Sequence, residues 1–443
     1  MTADLSARVA HWLDRNAPPG ALAIACSGGS DSIALLHLAS AWARRSGRRL
    51  DVLTVDHGLR PESEAETRFV RDEARALGHE PVRLAWTGEK PATGLQEAAR
   101  QARHRLLANA CDRRSVTGLL LAHTLDDQAE TVWMRLAAGG GWRGAGGMRP
   151  VSASPVWPEG RNTVLLRPLL TTRRQALRDW LAAQGLEWKD DPSNADARYT
   201  RVRVRRRLSA LERAGFPPER LAGLAGDVAA LREAETRAAG WLARHAVSHT
   251  GWGGLRVEPA PLRDAAPGIR RVLMEAAVLA VSGEARLPGR AGLARLEQAV
   301  LAGRRATAAG VMTASWRGRT WLVRDPGAVL GRVDRAMTGG GLAADGVWDG
   351  RFAVSGLLPG GTAGALGLSY DGLDDRAILD AVPGFARPSL LAVRADGRVS
   401  AIAGLGRPAG AGETGSVQIE ALQAHRFCSR LGAAAPAAPS DTK

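Results

Sequence analysis

Along the first half of the chain, short and mostly apolar runs alternate with stretches in which apolar positions recur every three or four residues. Residues 21–26 (ALAIAC), Leu50–Asp56 (LDVLTVD), 81–86 (PVRLAW) and 118–123 (GLLLAH) are the runs, each too short for a helix. Residues 62–77, 95–110 and Leu125–Ala137 carry the helical spacing, as does the stretch from the glycine turn after residue 26 to about residue 45. Near-continuous apolar strands joined through helices predict an α/β fold: a parallel sheet with helices on both faces. Such sheets bind ligands at the carboxyl ends of their strands, where every polar motif discussed below falls.

Beyond residue 138 the pattern loosens. The glycine-rich 139–147 (GGGWRGAGG) reads as a mobile loop or lid. A strand at 165–170 and a helix near 173–184 lead, through DDPSNADARY, to a cluster of arginines. The alternation of arginine and valine at 201–205 suits an exposed strand edge guarded by charge, or a set of phosphate contacts. Pro217-Pro218 marks a boundary before a long helix at 219–245. The expected organisation is a catalytic domain at 1–216, a mainly helical domain at 217–335 and a small, partly β domain at 336–443. No internal repeat is visible.

The net charge of +15 on 443 residues calls for a polyanionic partner. Lysine occurs only at 90, 189 and 443, so the basic side chains are almost all arginine. Residues 161–213 hold thirteen basic against six acidic side chains and so concentrate the excess. Arg198, Arg201, Arg203 and Arg205 are the candidate RNA contacts. Most of the thirteen tryptophans are scattered as core residues would be; only Trp142, inside the glycine loop, is a candidate to stack on a flipped base. Cys26, Cys111 and Cys428 stand far apart, which fits a reducing cytoplasm and excludes a zinc ribbon, a disulfide framework or a cysteine-held cluster. No apolar run is long enough for a membrane span.

Ser27-Gly28-Gly29-Ser30-Asp31-Ser32 lies between the first strand and its helix. Two glycines allow close approach to a phosphate, two hydroxyls add donors, and the helix start favours the same anion. The GxxxxGK[ST] pattern is missing and the loop holds no lysine. A divalent cation, Mg2+, is therefore expected to help neutralise the phosphates, with Asp31 placed to hold it. The bland alternative is a Ser/Gly turn that caps a helix.

These six residues resemble the signature of the PP-loop pyrophosphatase superfamily, which cleaves ATP between the α and β phosphates. Residues 56–60 (DHGLR), Ala99-Arg100 with Arg103, and 122–131 (AHTLDDQAET) resemble, in order and spacing, the tRNA(Ile)-lysidine synthetase family. So do Leu166-Arg167-Pro168-Leu169, Asp191-Pro192-Ser193-Asn194 and Tyr199-Thr200-Arg201; the likeness is strong over 20–210 and weak beyond. It implies ATP held by Ser27, Gly28, Gly29, Ser30, Asp31 and Ser32. It further implies attack by the C2 oxygen of a wobble cytidine on ATP, then displacement of AMP by the side-chain amine of free L-lysine. By this resemblance Asp127 binds lysine, while His123 and Arg103 support the adenylyl transfer. His123, Asp127 and Glu130 would share one face if the helix began near 123. The implied partner is tRNA(Ile) with a CAU anticodon, gripped by the C-terminal domains; whether the chain pairs as a homodimer stays open. Three departures stand out: Val202 where the family has asparagine, Thr124 where a second histidine is usual, and WRGAGGM for LRGLAGM. A tRNA thiolase on the same scaffold is the rival, opposed by the lack of a cysteine pair. A non-catalytic RNA-binding protein is the other, opposed by the intact Asp31, His123 and Asp127.

Overall fold

The computed structural model describes residues 2–56, 58, 62–88, 90–91, 93–189, 200–331, 341–408 and 417–432. They form two compact units, 1–232 and 233–443.

The first unit opens with helix α1 (Thr2–Asn16) and strand β1 (Ala21–Ala25). Alternating elements follow: α2 (Ser30–Ser46), β2 (Leu50–Asp56), α3 (Glu62–Ala76), β3 (Pro81–Ala85), α4 (Leu95–Arg113), β4 (Val116–Leu120) and α5 (Leu125–Ala137). Then come the short α6 (Gly141–Ala145), β5 (Val151–Ala153), β6 (Val164–Leu166), α7 (Arg174–Ala183), α8 (Thr200–Arg213) and α9 (Pro218–Ala246). The sheet order is β3-β2-β1-β4-β6-β5, parallel except for the edge strand β5. β1 is fully apolar and its buried side chains serve both faces: Leu22 and Ile24 join the core under α1, α2 and α7, while Ala23 and Ala25 face α4. From β1 the chain steps outward to β2 and β3, then returns to β4 on β1's other side. That reversal opens a crevice at the carboxyl ends of β1 and β4, where such folds bind ligands. Gly118, central in β4, admits this close packing, since a Cβ there would stand 2.7 Å from Leu22 and 3.0 Å from Leu166.

Two expectations are corrected. The Arg/Val alternation at 201–205 is helical, not a strand edge: Val204 and Leu208 of α8 pack with Ala129 and Val132 of α5 and with Leu221 and Ala225 of α9. The glycines of 139–147 do not form an irregular loop but contain α6. They allow close approach to α5, for a Cβ on Gly140 would meet the Arg135 carbonyl at 2.7 Å and one on Gly147 would meet Gln128 at 2.6 Å. The Gln128 amide in turn clamps Met148, accepting its N–H and donating to its carbonyl.

The division between the units falls inside α9, after Arg232, fourteen residues beyond Pro218. In the second unit, β7 (Val247–His249), β8 (Leu255–Val257), β9 (Ala306–Ala308), β10 (Val311–Trp316) and β11 (Arg319–Arg324) form an antiparallel sheet in the order β7-β8-β11-β10-β9. The apolar helix Pro267–Ser282 fills its core, and two three-stranded antiparallel sheets follow, between residues 346 and 421. A buried Arg324–Asp349–Arg351 triad ties the first of these sheets to β11, Asp349 accepting from both guanidinium groups at 2.7–2.9 Å. The expected boundary at 335/336 lies outside the described residues.

Candidate active site

The loop after β1 is built by its own serines. The Ser27 N–H donates to Ser32 Oγ at 3.2 Å, and that hydroxyl donates to the Gly29 carbonyl at 2.9 Å. Gly28 takes φ +88°, a conformation that side-chain-bearing residues rarely adopt. Gly29 caps α2 without a side chain, so the helix start faces the crevice with its positive end. The backbone N–H of Lys189 donates to the Gly28 carbonyl, and its side chain lines the same pocket. The fold thus brings beside the loop a lysine that the loop's own sequence lacks, its ammonium 5.0 Å over the Phe69 ring.

At the end of β4, Thr124 is the N-cap of α5 and forms a capping box with Asp127. Thr124 N–H and Oγ1–H both donate to Asp127 Oδ2 at 2.9 Å. The helix therefore starts at Leu125, and His123 precedes it rather than sharing its face. His123 and Asp127 still line one pocket. These hydrogen bonds and the facing Arg174 hold the Asp127 carboxyl below the usual range despite its burial. Burial, helped by Arg167 and Arg103, pushes the His123 imidazole well down, so it is neutral. Its Nδ1 is buried without a partner.

Arg174, the first residue of α7, reaches three carboxylates. Its Nε lies 2.8 Å from Asp31 Oδ2, one terminal nitrogen 3.0 Å from Asp127 Oδ1, and the other 4.0 Å from Glu130 Oε1. Asp126 anchors the backbone of this residue, accepting the Arg174 N–H at 2.7 Å. Glu130 is fully buried and pairs with Arg205 at 2.6 Å; burial and the nearby Asp127 push its carboxyl up. Burial likewise pushes Asp31 up, against the pull of Arg174.

Basic side chains interlock with this acidic group. Arg100, Arg103 and His104 of α4 and Arg201 and Arg205 of α8 line a pocket of about 850 Å³ together with the loop, Asp127 and Arg178. Arg201 lies 4.0 Å from Asp127, as Arg205 lies 2.6 Å from Glu130. Burial, then the charges of Arg100 and Arg103, lower His104 to about 4, so it faces the pocket neutral. A pocket with both carboxylates and guanidinium groups can hold an anion and a cation together.

All of Ser27, Gly29, Ser30, Asp31, Ser32, Arg103, His123 and Asp127 line this pocket, with Gly28 shaping its loop. The candidate RNA contacts divide: Arg201 and Arg205 point into the pocket, while Arg203 lies exposed and hydrogen-bonds Thr200. Arg198, like His57, Arg60 and residues 190–199 generally, lies outside the described residues. Trp142 is half-exposed under the Arg143 guanidinium and is not part of the pocket wall. Sequence reasoning missed Arg174, Lys189 and His104. Arg174 sat in an expected helix with no sign of which face turned inward; His104, one residue after Arg103, could have been found from the helical spacing of α4.

A Ser/Gly loop at the switch point of a parallel sheet, beside a pocket of paired carboxylates and arginines, is the arrangement of a PP-loop ATP-using domain; the family model of the PP-loop domain matches residues 1–212. The chain is 52% identical over 185 residues to the tRNA(Ile)-lysidine synthase of Hyphomonas neptunium, covering 42% of this chain and 50% of that protein. It is 37% identical over 400 residues to that of Caulobacter vibrioides, covering 85% and 86%. It therefore belongs to the tRNA(Ile)-lysidine synthase family, with PP-loop, ATP-dependent ligase chemistry. Among solved structures, a U34-tRNA thiolase from Methanococcus maripaludis aligns with a TM-score of 0.43 and 16% identity, over 51% of this chain and 76% of that one.

Proposed function

We propose that the chain joins free L-lysine to C2 of the wobble cytidine in tRNA(Ile) with a CAU anticodon, through an adenylated cytidine, releasing pyrophosphate and AMP. The observation that carries this reading is the pairing, in one pocket, of a phosphate loop with a buried carboxylate, Asp127, held ionised by Thr124 and Arg174. ATP lies along the loop, its phosphates met by the start of α2, Ser30, Ser32 and Lys189. The C2 oxygen of cytidine attacks the α-phosphate, where Arg103 and Arg100 stabilise the growing charge. His123, neutral, offers a hydrogen bond without adding charge. Asp127 then receives the lysine ammonium and orients it toward C2, and loss of its proton frees the electron pair that displaces AMP.

Asp31 suits Mg2+ as a single hard oxygen donor, since this ion takes one or two carboxylates and completes its shell with phosphates and water. Among the described residues no three His, Cys, Asp or Glu side chains are placed to hold one ion between them. When bound, the ion would neutralise phosphate charge. Arg203, Arg206 and Arg207, exposed on α8, and the second unit would hold the tRNA body. No described helix is long and apolar enough to cross a membrane, and the substrates are those of the cytoplasm.

The test omits lysine. With ATP labelled at the α-phosphate and tRNA present, label is expected to accumulate on the RNA as an adenylate and to leave as AMP on adding lysine. Lysine-independent AMP release without RNA labelling would refute the two-step reading. The role of Asp127 is tested by Asp127→Asn, expected to raise the KM for lysine at least tenfold and that for ATP less than threefold, the loss of one buried ion pair amounting to roughly 1.5–3 kcal/mol. Equal losses would assign Asp127 to the nucleotide.

A further inference from the structure

Three carboxylates converge on one side of the pocket: Asp31, Asp127 and Glu130, all largely buried. Without cations they would repel one another and lift their own protonation points. Arg205 serves Glu130 at 2.6 Å and Arg201 stands 4.0 Å from Asp127, and Arg174 is the cation that Asp31 and Asp127 share. The fork of Arg174 gives one nitrogen to each, at 2.8, 3.0 and 4.0 Å. In the reaction proposed above, two cationic reactants must use the same oxygens: the ion that accompanies ATP at Asp31, and the lysine ammonium at Asp127. Both positions already hold Arg174.

We propose that Arg174 is an exchangeable counter-ion that couples nucleotide and lysine binding, standing in for both reactant cations until they arrive. Its backbone is fixed by Asp126, but its side chain is 22% exposed and lines the open pocket, so it can leave without moving α7. The phosphates that arrive with ATP give the displaced guanidinium a new partner. Because one guanidinium serves both carboxylates, whichever reactant binds first must dislodge it, and the second finds its carboxylate already vacated. Nucleotide and lysine then bind with positive cooperativity, and by linkage the effect is reciprocal. An empty pocket stays neutralised, and the amine binds more weakly without ATP than with it.

The proposal rests on the lysine-ligating reading for the identity of the amine. The test is calorimetric titration of L-lysine into the full-length protein without tRNA, with and without Mg2+ and α,β-methylene ATP. The nucleotide complex of the wild type is expected to bind lysine at least about fivefold more tightly than the free protein, the lower end of common coupling factors. In Arg174→Gln that ratio is expected to fall below about twofold because the nucleotide-free protein gains lysine affinity. Arg174→Lys keeps a cation but has one point charge in place of a fork; it is expected to fold even where the glutamine variant does not, and to show a ratio below the wild type's. Equal lysine affinity with and without nucleotide in the wild type would overturn the proposal, as would wild-type coupling in the lysine variant. Incorporation of labelled lysine into tRNA by the same preparation separates the two ideas: incorporation without coupling removes only the counter-ion role, whereas no lysine binding and no incorporation removes both.

Discussion

Thr124 does two jobs at one position. As an N-cap its hydroxyl and N–H both serve Asp127, fixing the start of α5 and keeping the carboxylate ionised. Lys189 is the converse, a residue whose role comes entirely from the fold. Its side chain is exposed at the phosphate end, so Lys189→Ala is expected to raise the KM for ATP about two- to fivefold, the size of a partly solvated ion pair. Steady-state kinetics with ATP varied checks this; an unchanged KM would leave only its backbone contact to Gly28. Protonation offers a second test. His104 is held near 4 in the fold against an ordinary 6.5, so the unfolded chain binds the proton first. Its contribution is fully present above about pH 6.5 and is lost as pH falls toward 4. Asp31 and Glu130, pushed up by burial, work the other way and gain stability as they protonate. Melting temperature followed from pH 7.5 to 4.5 isolates the histidine: His104→Gln is expected to decline less steeply than the wild type, and parallel curves would exclude it. That the loop serines, His123 and Asp127 gather in one pocket was legible because their motifs follow strands, while Arg103, in the middle of α4, was named from the family resemblance. Arg174 and Lys189 were not, since only the packing of α7 and the turn after it bring them to the loop.

Among elements, β1, β2 and β4 and their helices could be read from periodicity, because strands buried on both faces leave long apolar runs, and β3 at the sheet edge was found by its place between two helical stretches. Helix α8 could not. Its first five residues alternate with a period of two, and only Leu208 and the contacts with α5 and α9 reveal the helical face. The glycines around α6 misled in the same way: they permit close approach, which composition cannot distinguish from flexibility. Helix α9 decides where a catalytic fragment must end. Leu221 and Ala225 pack with α5 and α8, Glu219 pairs with Arg173, and Val228 lies against Gly146. A fragment 1–232 is expected to unfold cooperatively and to gain stability from Mg2+ and ATP. A fragment 1–216, which lacks two buried aliphatic anchors, is expected to be less stable by several kcal/mol, each lost large side chain costing roughly 2–3 kcal/mol. Thermal unfolding of both with and without nucleotide checks this, and equal melting temperatures would place the boundary back at the proline pair.

For the whole molecule, the net charge is +15, and the pocket of the first unit pairs its own acids Asp31, Asp127 and Glu130 with arginines. The second unit, built on its own apolar core and antiparallel sheets, carries none of the adenylation motifs. That arrangement fits a catalytic unit joined to one that grips a large polyanion. The most direct measurement combines the purified full-length chain with ATP, Mg2+, labelled L-lysine and tRNA carrying a CAU anticodon, and counts products. The expected result is label in the RNA with one AMP and one pyrophosphate formed per lysine joined. RNA that stays unlabelled while ATP is consumed, or that is modified only when a sulfur donor replaces lysine, would contradict it.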